Sequence, residues 1–112
     1  MAVVAPAFRL VPERFRGGLE KLNGRLRLRM FDRAGAREAL ERAREIAPSE
    51  EGLLDLALVA NLSGDVGAEV TACEQATQIA PDSPTAWSRY AHALARTDRI
   101  SDCLVACDRA LE

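Results

Sequence analysis

At 112 residues the chain is one domain's worth, and with 48% hydrophobic but only 4% aromatic residues its core must be built largely from Ala, Leu, Val and Ile. Fifteen basic against 17 acidic residues leave a formal net charge of −2, which argues against nucleic-acid binding as the default. No apolar run approaches the ~18 residues of a membrane span, and the odd set Cys73, Cys103 and Cys107 is no disulfide framework of a small secreted domain.

The opening Met1–Phe8 is apolar, but Pro6 interrupts it and no cationic segment precedes it, so it is a poor secretory signal and a cytoplasmic chain is expected. Residues 1–16 are assigned to an irregular N-terminal segment and 17–112 to a repeat domain. Helices are expected at about 13–31, 34–47, 50–62, 67–80, 84–96 and 100–111, with ends good to ~2 to 4 residues. In the first of these, Arg25–Met30 alternates like a strand, yet Leu22, Leu26 and Met30 share a helical face.

The segment Ala39-Leu40-Glu41-Arg42-Ala43 returns as Ala72-Cys73-Glu74-Gln75-Ala76 and again as Ala106-Cys107-Asp108-Arg109-Ala110, at shifts of 33 and 34 residues. Ile46-Ala47-Pro48 and Ile79-Ala80-Pro81 end the first two copies alike, each Pro stopping the helix before it. New helices then start with chemical signals. Ser83 caps ahead of Pro84, and Ser49 precedes Glu50 and Glu51 at the positive helix end. With further breaks near Ser63-Gly64-Asp65 and Thr97-Asp98, each unit is a helix pair.

These residues resemble the tetratricopeptide repeat family. Trp87, Tyr90, Ala91 and Leu94 fall on its first-helix positions, and Cys103, Cys107 and Ala110 on its second-helix positions. In the middle copy Leu53, Leu56, Ala57 and Ala60, then Cys73, Ala76 and Pro81, match in turn, while Glu69 occupies a slot that is normally small. The first copy matches in Ala36, Leu40, Ala43 and Pro48, and its first helix fits with Leu19, Leu22, Asn23 and Leu26 on the core positions when one extra residue is read before the turn. The resemblance implies an all-α, right-handed α-solenoid of antiparallel helix pairs, in about three repeats at 17–49, 50–83 and 84–112. Small residues such as Ala57, Ala76, Ala91 and Ala110 would let the helices approach closely.

The function that the resemblance implies is a protein–protein interaction scaffold holding a peptide or partner protein in a concave groove lined by each first helix. By position the groove residues are Leu54, Leu58, Asn61 and Leu62, then Thr85, Ser88, His92 and Arg96. The apolar cover that Leu54 and Leu58 add suits either a ligand or a segment of this chain, such as residues 1–12, lying in the groove. The carboxylate grip of some chaperone-binding members is not reproduced, since Arg89 falls on one suitable slot but Asp55 and Thr85 stand where Asn and Lys would be expected.

No catalytic site, metal or cofactor is expected. Cys103 and Cys107 share a helical face but fall short of the four ligands of a closed zinc site, and His92 is the single His. The alternative is the helical accessory or N-terminal domain of a larger enzyme, for example a transferase, whose catalytic part lies outside these residues.

Two further surfaces stand out. Residues 1–37 hold nine basic and three acidic side chains, a charge of +6, whereas residues 38–112 hold six and fourteen, a charge of −8. The basic end is read chiefly as a solvated helix face, with a lip for an acidic peptide, lipid surface or RNA as the minor reading. Ile100, Leu104, Cys107 and Leu111 form a stripe on the last helix that in a longer array would face the next repeat, which suggests either self-association through that helix or a truncation.

Overall fold

The structure, a computed structural model, describes residues 13–112, which form six α-helices with no strand among them. These are α1 (Glu13–Arg29), α2 (Arg33–Ile46), α3 (Glu50–Leu62), α4 (Val66–Ile79), α5 (Pro84–Leu94) and α6 (Ile100–Leu111). Glu13–Arg16 are helical, in keeping with the helix expected at about 13–31 and not with an irregular segment that runs to residue 16, and the reading of residues 1–12 lies outside the described residues. The alternating Arg25–Met30 stretch is helix as far as Arg29.

The helix starts repeat with the period of the sequence. Asp32 and Asp65 accept from the backbone N–H groups of Gly35 at 2.9 Å and Ala68 at 3.1 Å, and so cap the second helix of each of the first two pairs. Ser49 and Ser83 do the same for Gly52 at 3.1 Å and Ala86 at 3.2 Å, with Pro84 opening α5. Arg99, which stands where the next aspartate would be, makes no such bond. The pair-internal turns also correspond: Gly64 takes the left-handed conformation at φ +75°, and Phe31, one repeat earlier, takes it at φ +62°.

Each helix packs chiefly on its neighbours in sequence, with α1 also touching α3 and α3 touching α5, and the body is elongated at 56 × 26 × 18 Å. Alanines line the close approaches. Ala36, Ala39, Ala43, Ala57, Ala76 and Ala91 are all buried, around fully buried Leu40, Leu53, Val59, Cys73 and Leu94. Trp87 fastens the last pair: its indole N–H donates to the Pro81 carbonyl at 2.7 Å, and the Arg109 guanidinium lies 5.0 Å from its ring centre.

The roll of α1 differs from the expectation. Leu19, Leu22 and Leu26, read as core positions, are about half exposed, and the buried face carries Gly17 and Gly24 with Leu28 beside them. The cause is distance: a Cβ on Gly24 would fall 2.6 Å from Leu40 Cγ and 3.3 Å from the Ala36 carbonyl oxygen, an approach to α2 that only glycine allows. Arg25 fixes the roll by pairing with Glu51 and, at 2.7 Å, with Asp55 on α3.

Candidate functional site

Between α3 and α5, over α4, lies a depression of about 170 Å³ lined by Ala57, Leu58 and Asn61, by Glu69 and Cys73, and by Arg89, His92 and Arg96. Three helices contribute to it, each for a local reason. Capping at Ser49 and Ser83 sets the start of α3 and α5, and the 3.6-residue period then brings Leu58 and Asn61, and Arg89 and His92, to their facing sides. Arg96 follows just beyond α5.

Glu69 organises the floor. It is only 7% exposed, its carboxylate accepts from the Arg96 guanidinium, and the Asn61 amide lies at 3.5 Å. The ion pair neutralises a carboxylate that burial would otherwise penalise, and it ties α4 to the segment after α5. His92 adds a set orientation: its Nδ1 lies 2.8 Å from the Ser88 carbonyl oxygen, which can only accept, so the proton sits on Nδ1 and Nε2 is the acceptor of the neutral ring. Arg89 has no ion-pair partner among the described residues.

Cys73 is fully buried beneath this surface. Burial, with the Glu69 carboxylate adding to it, pushes its thiol up to about 11, so it stays protonated at neutral pH and is no nucleophile there. Cys103 and Cys107 are only half-buried, and the Cys103 thiol donates to the Ala91 carbonyl at 3.2 Å. Among the described residues no three His, Cys, Asp or Glu side chains converge as metal ligands, and no helix is long and apolar enough to cross a membrane.

Of the eight residues expected in the groove, Leu58, Asn61, His92 and Arg96 meet in this depression. The other four lie elsewhere. Leu54 is half-buried against Leu53, Ala76 and Ala86, and Leu62 is exposed at the end of α3, where its carbonyl accepts from Arg33 at 2.7 Å. Thr85 is exposed in the first turn of α5, and Ser88 contributes only the carbonyl that holds His92. The family positions missed Glu69 as a lining residue and gave Arg89 only as one slot of the carboxylate grip, although a charge at Glu69, in a slot that Ala36 and Cys103 fill in the other copies, was the available signal.

The basic end is partly engaged within the molecule. Arg25 pairs with α3, Arg27 with Asp32 at 2.8 Å, and Arg37 with Asp65 at 3.0 Å. Asp55, which stands in a slot of the chaperone-tail grip, is held by Arg25. No protein-family model matches the chain, and no curated protein matches it either.

Proposed function

We propose that the chain is a protein-interaction module, a right-handed solenoid of three tetratricopeptide-type helix pairs that holds a peptide segment of a partner between α3 and α5. The reading is carried by the convergence of Leu58 and Asn61 from α3, His92 from α5 and Arg96 from just beyond it, around the Glu69–Arg96 pair. Leu58 and Ala57 offer apolar contact to one side chain of the ligand. Asn61, with both donors and an acceptor, suits a peptide backbone, while Arg89 suits a carbonyl or carboxylate. The mixture fits a polypeptide better than a polyphosphate, because Glu69 cancels one of the two arginine charges.

Peptides selected from a random library on the immobilised chain provide the test. The double change Leu58→Glu and His92→Glu alters two exposed positions, so the helical circular dichroism should persist while affinity falls about tenfold or more. Affinity for the unaltered chain should change little between about 50 and 200 mM salt, where a phosphate-binding surface would lose orders of magnitude. Binding that survives this change but disappears when Arg25, Arg29 and Arg33 are neutralised would transfer the site to the basic end.

A further inference from the structure

Inside the chain, the second helix of each of the first two pairs is covered by the first helix of the pair that follows: α3 packs on α2, and α5 on α4. Among the described residues α6 packs on α5 alone, and Ile100, Leu104 and Leu111 lie open beside it, Leu104 at 61% and Leu111 at 85% exposure. At the other end, α1 packs on α2 and α3 through its glycine face, and Phe15, Leu19, Leu22, Leu26 and Met30 form an i, i+4, i+7, i+11, i+15 stripe facing away from them. Two apolar stripes on opposite ends of an elongated body are more than scattered surface leucines.

We propose that copies of this chain associate head to tail, the α1 stripe of one copy docking on the α6 stripe of the next, so that the α2–α3 and α4–α5 packing is repeated between molecules. The stripes match in length: at 1.5 Å per residue, that on α1 runs about 22 Å and that on α6 about 17 Å. They also match in charge. At 100° per residue, Arg29 edges the α1 stripe on one side and Arg16 on the other, whereas Asp108 edges the α6 stripe. The same polarity holds for the whole chain, +6 over residues 1–37 and −8 over residues 38–112.

Charge also selects among occupants. Two α1 helices face to face would set arginine against arginine, and an anionic membrane would attract α1 but repel the acidic remainder. A second copy's α6 satisfies stripe and rim together. The interface is heterologous, so association is open-ended unless the rotation between copies closes a ring. It uses neither Leu58 nor His92, and therefore stands apart from the groove.

Sedimentation equilibrium of the full chain and two variants tests this. The unaltered chain should show a weight-average mass that climbs past a dimer with concentration and falls with added salt. Leu22→Glu and Leu104→Glu, both at open positions, should each be monomeric with unchanged helical circular dichroism. Mixed in equal amounts they should form a 1:1 heterodimer, because each keeps the face that the other has lost, and that recovery also shows both to be folded. The Leu58→Glu and His92→Glu variant should associate like the unaltered chain, whatever becomes of peptide binding. A monomer at every concentration overturns the proposal, including the case in which the chain instead sediments with phosphatidylserine vesicles. Continued self-association of either single variant, or a mixture that stays monomeric, does the same.

Discussion

Phe31 occupies the turn position that Gly64 holds one repeat later, and both are in the left-handed region, where a Cβ is crowded by its own carbonyl. Phe31 is also 89% exposed, so no burial offsets that strain. Phe31→Gly should therefore raise thermal stability by about 0.5 to 1 kcal/mol, the relief of strain exceeding the entropy that glycine adds to the unfolded chain. An unchanged or lower melting temperature would mean that the phenyl ring makes a compensating contact. The Glu69–Arg96 pair belongs to the same scale, with one partner 9% and the other 45% exposed at the side chain. Arg96→Ala should cost about 1 to 2 kcal/mol, more than an ordinary surface pair, because Glu69 is left buried without its cation. Removing both should cost less than the sum of the single changes, and a double-mutant cycle in urea measures that coupling; strict additivity would deny the pair any role.

Helix ends were legible in the sequence because capping is local: Ser49, Ser83 and Pro84 act on backbone groups two or three residues away, whatever surrounds them. The roll of α1 was not, because its leucine stripe and its glycine face both obey the helical period and the choice depends on what packs there. The groove divides the same way: Leu58, Asn61, His92 and Arg96 come from the positions that the resemblance supplies, whereas Glu69 lines the depression through a pairing across helices that no repeat position encodes. Two alanine substitutions test the roll. Gly18, where an added methyl group would meet only open space, should gain about 1 kcal/mol of helix propensity as Gly18→Ala, while Gly24→Ala should destabilise, overpacking against Leu40 exceeding that gain. The reverse order would place the leucine stripe inward. The caps also set an acid response. Asp32 and Asp65 are held below the usual carboxylate range, first by backbone N–H groups and then by Arg27 and Arg37. Their contribution is complete above the unfolded value near pH 4 and is lost as pH falls through the lower folded values. Asp32→Asn with Asp65→Asn keeps the cap geometry but does not titrate, so the acid limb of the stability profile should flatten in urea titrations from about pH 5 to pH 3. An equally steep limb would place the acid sensitivity at other carboxylates.

At the scale of the whole molecule, burial is concentrated in the middle. The largest fully buried side chains, Leu40, Leu53, Val59, Cys73 and Leu94, all come from α2 to α5, whereas α6 buries only Ala106 fully and α1 buries two glycines. A stack in which helices touch mainly their neighbours distributes its stability unevenly, because an end helix has fewer apolar contacts to lose when it opens. Native-state hydrogen exchange at low protein concentration should therefore find the slowest amides in α3 and α4. Those of α1 and α6 should exchange through partial opening at a free energy lower by about 2 kcal/mol or more. Equal protection in all six helices would show a single cooperative unit and contradict the uneven burial. Raising the protein concentration then separates two sources of protection. If α1 of one copy covers α6 of the next, both end helices should slow together while α3 and α4 stay fixed at the global value, and Leu104→Glu should abolish the slowing at both ends, although the substitution is on only one of them. Slowing confined to α1, or to α6, would mean that each end is covered by something other than its counterpart.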